Sequence, residues 1–263
     1  MRATLIALAV LAATAVAGAC GDSTGPNGDD SFEWSGTIAA GDQIEIKGVI
    51  GSINFDRSSG IETVVTAVKT GQDSDPATVD IQVVQHANGV TICAVYPDVP
   101  GQQSNECAPG DQGNMSVQDN DVEVTFTVQV PNGVVAVGKT ITGSIDADAL
   151  QSDVFASTIT GNVDLVTSRL AEASVITGNV IVSLGATDWG RDLTFSAITG
   201  AITVTVPSGT NADVVATVVT GSIASDFALT DVSPGRKEGT LGTGGPTLTL
   251  SVVTGDVTLL SGS

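Results

Sequence analysis

The residues able to do chemistry in this chain are few. His86 is its only histidine, so an imidazole triad or a histidine-rich metal set would have to be built on that one residue. It has no ligand-like spacing to either Cys93 or Cys107 and reads as a surface residue at a strand edge. Gly21-Asp-Ser-Thr-Gly25 matches the G-x-S-x-G pattern of a nucleophile elbow. That motif needs a strand–turn–helix setting, and here it lies in a polar stretch without an apolar residue. Asp111, Asp119 and Asp121 crowd one loop with Asn114 and Asn120. Hard oxygen ligands of this kind suit Ca²⁺, yet no EF-hand or nonapeptide Ca²⁺ repeat is present. A solvated acidic loop is the default, with no metal and no cofactor expected. Lyases on β-helices need acids, Lys and Arg gathered in a groove. The five Arg and four Lys here are scattered, with Arg236-Lys237 the sole adjacent basic pair. Trp34, Tyr96 and Trp189 are the only Trp or Tyr residues, and could serve either as sugar platforms or as caps on the core.

Three cysteines carry the remaining chemistry. Met1-Arg2 is a minimal positive start, and residues 3–16 form an apolar run broken by Thr4 and Thr14. The run fits a signal peptide better than a membrane span. Ala17-Gly18-Ala19-Cys20 then resembles a bacterial lipobox, with Ala17 where Leu is usual; Ala17-x-Ala19 is also an ordinary signal-peptidase site. The expectation is a signal peptide over residues 1–19, a lipidated Cys20, and a flexible tether over 20–31. Cys93 and Cys107 remain as a pair at the ends of a Pro/Gly/Asp-rich loop, and an exported chain can oxidise them. Closing a loop of about 15 residues contributes roughly 3 kcal/mol in the chain-entropy picture.

The elements that must position these residues are read from composition and repeats. Aromatics are only 3% of the 263 residues and apolar residues 41%, with 31 glycines. The core must therefore be Val, Ile, Leu and Ala, which suits pleated, closely stacked layers. The net charge is −20, from 29 acids against nine Lys and Arg. Such a polyanion is repelled by phosphate backbones, so nucleic acid is not an expected partner. The charge also keeps a large sheet from associating through its edges.

One phrase recurs: Thr140-Ile-Thr-Gly-Ser-Ile, Thr158-Ile-Thr-Gly-Asn-Val, Val175-Ile-Thr-Gly-Asn-Val, Ala197-Ile-Thr-Gly-Ala-Ile, Val218-Val-Thr-Gly-Ser-Ile and Val252-Val-Thr-Gly-Asp-Val. Its glycines are Gly143, Gly161, Gly178, Gly200, Gly221 and Gly255, spaced by 18, 17, 22, 21 and 34 residues. A degenerate copy centres on Gly51. Spacings near 20 are the mark of a stacked array. The expected fold is an all-β, single-chain β-solenoid or β-roll of stacked ~17–22-residue rungs about 4.8 Å apart. Counted from the Gly, positions −2, +2 and +4 are apolar in almost every copy, a period of two. Ile176, Val180, Ile198 and Ile202 are thus expected inside. Thr142, Thr160, Thr177, Thr199, Thr220 and Thr254 are expected to form an outer ladder. The Gly would bend a corner or admit a close neighbour, both of which a Cβ obstructs.

Residues 32–130 are also β but lack the repeat. Gln43–Lys47 and residues 122–130 alternate, and two strands join at Ala87-Asn88-Gly89. Longer strands and hairpins are expected here as a cap on the repeats at 131–263, the whole of 32–263 forming one domain.

The repeats resemble a bacterial adhesin-like family of unknown function, as do residues 122–131, Ala224-Ser-Asp-Phe and Gly239-Thr-Leu-Gly-Thr-Gly-Gly-Pro-Thr-Leu-Thr-Leu. The resemblance covers roughly residues 32–263. It implies a solenoid or roll of the cell envelope, related to the heads of autotransporter adhesins, and it assigns no catalytic residue. The expected role is that of a non-enzymatic lipoprotein, periplasmic or surface-facing. It would meet the membrane through its lipid and an envelope protein or glycan through its faces. A carbohydrate-active or carbohydrate-binding β-helix is the alternative.

Overall fold

A computed structural model describes residues 30–262. Among the described residues there are 21 strands and no α-helix, with one short 3₁₀ turn at Pro76–Thr78. Before the repeats come β1 (Ser31–Gly36), β2 (Gln43–Lys47), β3 (Ile53–Arg57), β4 (Thr63–Thr70), β5 (Asp80–His86), β6 (Gly89–Val95) and β7 (Glu123–Val130). The first three copies supply β8 (Val135–Thr142) with β9 (Ile145–Leu150), β10 (Val154–Thr160) with β11 (Val163–Thr167), and β12 (Ala171–Thr177) with β13 (Val180–Leu184). The fourth and fifth supply β14 (Leu193–Thr199) with β15 (Ile202–Pro207) and β16 (Ala212–Thr220) with β17 (Ile223–Ser225). A hairpin of β18 (Thr230–Ser233) and β19 (Arg236–Leu241) precedes the last pair, β20 (Thr247–Thr254) and β21 (Val257–Gly262).

The strands form two mixed sheets. One has ten strands in the order β1-β4-β7-β3-β9-β11-β13-β15-β21-β17; the other has eleven, β18-β19-β16-β20-β14-β12-β10-β8-β2-β6-β5. In every copy the strand before the glycine joins the larger sheet and the strand after it joins the smaller. Copies pair in parallel and in register: Thr142 with Thr160, Thr160 with Thr177, Thr177 with Thr199, and both Thr199 and Thr220 with Thr254. Aliphatic side chains from both sheets meet between them in one core running from Ile38 to Leu259, with Phe55, Phe126 and Phe195 its largest fully buried members. A Cβ on Gly138 would lie 2.9 Å from the Phe55 ring, so a side chain is given up there to admit the ring.

The repeated glycine is required on two counts. In all seven copies its φ lies between 125° and 153°, a region L residues avoid. A Cβ there would also meet the backbone of the next copy. The distance to the neighbouring glycine carbonyl oxygen is 2.0 Å at Gly143 and Gly161, and 1.8 Å at Gly178 and Gly200. Gly51 continues the column, lying under Gly143 and against the Val124 carbonyl.

One expectation needs correction, and two features go beyond the sequence reading. Ile176 and Ile198 do not point inward: they are 44% and 48% exposed. The positive-φ glycine is a corner between two sheets, so a period of two cannot be counted across it. Before the corner the inward residues are Ala173 and Val175, or Phe195 and Ala197; after it they are Val180 and Val182, or Ile202 and Val204. Ile and Thr at −2 and −1 both face out as the chain turns. The copies also do not stack in chain order. The copy of Gly255 inserts between those of Gly200 and Gly221, because β18 and β19 first fold back antiparallel and cover the outer edge of β16. Finally, the degenerate copy expected at Gly51 is a full member of the array, so that residues 32–130 carry a copy as well as a cap. β2 and β3 pair in parallel with β8 and β9 and form a further copy. β1 and β4 on one sheet, and the β5–β6 hairpin on the other, close that end through antiparallel pairs.

Candidate functional site

The outer face of the eleven-stranded sheet carries four columns set by parallel register. Lys139, Ser157, Ser174, Ser196, Ser251 and Thr217 form the central one. Ile159, Ile176, Ile198 and Val253 run along the corner side, all exposed, and beyond them lies the predicted threonine column, also exposed. On the other side Val137, Phe155 and Glu172 stand in register.

The corner itself is tied by hydrogen bonds from one copy to the next. The N–H of Gly178 donates to the Thr199 carbonyl at 2.9 Å, and that of Gly161 to the Thr177 carbonyl at 3.0 Å. The residue after the glycine adds a side-chain ladder. Asn162 Oδ1 accepts from the Asn179 N–H, and Asn179 Oδ1 from the Ala201 N–H, both at 2.9 Å. Asp256 does the same for the N–H and hydroxyl of Ser222, which holds its carboxyl below the usual range. The threonine and glycine columns are therefore an ordered surface built on a structural ladder.

A shallow trough of about 200 Å³ opens between the Phe155 and Ser174 columns, on strands β8, β10, β12 and β14. The Arg191 guanidinium lies over the Phe155 ring, 4.7 Å from its centre, an attractive cation–π placement. Its Nη1 also pairs with the Glu172 carboxylate. The Ser196 hydroxyl donates to the Ser174 hydroxyl at 2.9 Å. At the near end Lys139 Nζ donates to the Gly110 carbonyl and to Asp111 Oδ1, both at 2.9 Å.

Behind Lys139 lies a buried charge network, covered by the loop at residues 96–121. Glu45 is only 1% exposed. Its Oε2 accepts from the Thr91 hydroxyl at 2.9 Å and the Gly110 N–H at 2.8 Å. Its Oε1 makes no hydrogen bond and is held by charge, 3.2 Å from Lys139 Nζ. Burial works against the Lys139 charge, but Asp111 and Glu45 outweigh it and keep the ammonium above its ordinary value. Lys47, buried nearby, is pulled below its own and donates to the Ala108 and Gln112 carbonyls.

Cys93 and Cys107 are joined in a disulfide that pins this loop against the sheet beside Val95, Val84 and Met115. Replacing both by Ser should lower stability by about 3 kcal/mol, read as a lower urea midpoint. Mass spectrometry of the non-reduced chain should show the loss of two hydrogens. Two alkylatable thiols would contradict the bridge.

The remaining candidates resolve into structural roles. His86 lies on edge strand β5, its Nε2 3.1 Å from the Thr91 hydroxyl. Asp111, Asp119 and Asp121 do not converge. Asp111 pairs with Lys139, and Asp119 accepts from Gln118 Nε2. Asp121 accepts the N–H groups of Gln72, Asp73 and Ser74, which lower its pKa to about 2. Among the described residues no group of three or more His, Cys, Asp or Glu is placed to hold a metal ion. Tyr96 and Trp189 are buried. The Tyr96 hydroxyl donates to the Val122 carbonyl at 2.5 Å, and burial pushes its pKa up to about 12. Trp34 packs against the core from β1. Arg236 and Lys237 serve the end hairpin, pairing with Glu238 and Asp231. Cys20, the Gly21–Gly25 motif and the tether as far as residue 29 lie outside the described residues; the end of the expected tether is corrected, because Ser31 already pairs with Val68 in β1. Phe155, Glu172 and Arg191 carry no motif and were invisible to sequence reasoning; an aromatic at an outward position of the array was the one available signal.

No family model and no curated protein matches this chain. Solved structures do show similarity. A proposed cell adhesion protein from Clostridium sporogenes aligns at 10% identity over 89% of this chain and 100% of its own, with a TM-score of 0.45. A proposed adhesin from Bacteroides fragilis aligns at 15% identity over 89% and 98%, with a TM-score of 0.38. Another, from Parabacteroides merdae, aligns at 13% identity over 88% and 96%, with a TM-score of 0.26. Among the described residues no helix is long and apolar enough to cross a membrane.

Proposed function

We propose that this chain is an exported β-solenoid of the bacterial envelope, which works by presenting surface rather than by catalysis, as an adhesin-like scaffold. The observation that carries the reading is the glycine column. It brings strands 17 to 92 residues apart in sequence into one register, so that outward residues add up to continuous faces. Each copy completes the burial of its apolar sides against its neighbours, as expected of a solenoid. The Cys93–Cys107 disulfide is consistent with an oxidising compartment, and the charge of −20 argues against nucleic acid. The labelled full chain should bind isolated bacterial envelopes saturably and release no sugar from them. Non-saturable binding would overturn the scaffold, and steady release of sugar would favour the carbohydrate-active alternative.

The anchor in this reading is a lipid on Cys20. Wild type should partition into the detergent phase of a phase-separating detergent and Cys20→Ala into the aqueous phase. Equal aqueous partitioning would remove the lipid.

A further inference from the structure

The trough over Phe155 has a chemistry that narrows its occupant. Its floor is a parallel sheet in which β8, β10, β12 and β14 are each paired on both sides. A peptide therefore has no open edge to extend, and recognition must come from side chains. The charges at its borders are balanced. Lys139 is opposed by Glu45 and Asp111, and Arg191 by Glu172. An anionic or cationic ligand would have to displace one of these pairs. Between them stand hydroxyls in register, Ser157 beside Ser174 and Ser174 beside Ser196. A hydroxyl both donates and accepts, so this column matches a ligand that presents hydroxyls of its own. The Phe155 ring lines one side, and the Arg191 guanidinium lies over that ring at the trough's border. Arg has five N–H donors, and the described contacts of Arg191 engage Nη1 with Glu172, which leaves donors for a ligand. The volume of about 200 Å³ lies below the roughly 300–1,000 Å³ of drug-sized pockets and is on the scale of one sugar ring.

We propose that this trough binds a residue of a neutral glycan. The Ser157–Ser174–Ser196 column bonds its hydroxyls, and the Phe155–Arg191 stack packs on its C–H surface and donates at its edge. This rests on the surface-presenting reading above and gives that surface a ligand class. The threonine column, at the corner end of the same strands, is not among the residues that line the trough and takes no part.

The test uses the full chain and a panel of neutral tetrasaccharides of glucose, galactose, mannose and N-acetylglucosamine, read by calorimetry. Ser174→Tyr fills the trough, and Arg191→Ala removes the donors at its border. Ile181→Tyr makes a similar change at an exposed residue on the outer face of the other sheet. At least one tetrasaccharide should bind wild type and Ile181→Tyr alike and should bind Ser174→Tyr and Arg191→Ala at least tenfold more weakly. Unchanged melting would show that the variants are folded; if Ser174→Tyr melts early, Arg191→Ala decides alone. No binding across the panel, or equal binding by a folded Ser174→Tyr, would overturn the site. Envelope binding that persists in Ser174→Tyr and Arg191→Ala, with no tetrasaccharide bound by wild type, would leave the scaffold standing and remove the glycan.

Discussion

Gly178→Ala is expected to destabilise the protein by several kcal/mol, a large effect for a single methyl group. Gly178 has φ +147°, and its new Cβ would stand 1.8 Å from the Gly161 carbonyl oxygen. Unfavourable backbone geometry alone costs about 1–3 kcal/mol. The overlap cannot be relieved by a rotamer, because the atom it meets is backbone. Relief requires moving β12 away from β10, and with it the hydrogen bond from the Gly161 N–H to the Thr177 carbonyl. A total of about 3–5 kcal/mol is at the high end for point substitutions and a large part of a typical domain's ~5–15 kcal/mol. Urea unfolding followed by circular dichroism would measure it. Gly190→Ala is the control: nothing lies within 4 Å of its Cβ position, and its cost should stay within about 0.5 kcal/mol. Equal costs at the two positions would mean that the glycine column does not carry the stack.

Ile202→Asp should be comparably damaging, and Ile198→Asp, four residues away, should not. Ile202 is 0% exposed and lies in register between Val180 and Val257. A carboxylate there would be buried among aliphatic side chains without a partner. The chain must then neutralise it or open locally, at a cost of about 4 kcal/mol or more. Neighbouring copies support one another, so protease sensitivity should spread through residues 175–262, including the inserted last copy. Ile198 is nearly half exposed, and its replacement should cost about 1 kcal/mol or less. If Ile198→Asp proved the worse of the two, the placement of the corner would be wrong.

These two expectations separate what was legible in the chain from what was not. The β class followed from aliphatic composition, the array from the repeated Thr-Gly phrase, and the need for glycine from steric argument. The Cys93–Cys107 pair followed from loop chemistry, and the hairpin at Ala87-Asn88-Gly89 from turn residues. The outward threonine column was also read correctly. These are local properties: each depends on a residue and its near neighbours, and pleat and turn chemistry act at that range.

The tertiary structure alone decided the rest. The −2 residue faces out because the glycine turns the chain from one sheet into the other, and a periodicity counted in residues does not register a change of sheet. The last copy lies between the fourth and the fifth because β18 and β19 occupy the edge of β16 that it would otherwise have joined. The trough joins Phe155 and Glu172 from successive copies, with Arg191 of the next copy over the ring and paired with the carboxylate, and none of these residues announces its partners. On the outer face of a parallel sheet a side chain's neighbours sit one copy away along the stack. Which residues become neighbours is set by register and copy order, and those come from burying the apolar faces between the two sheets.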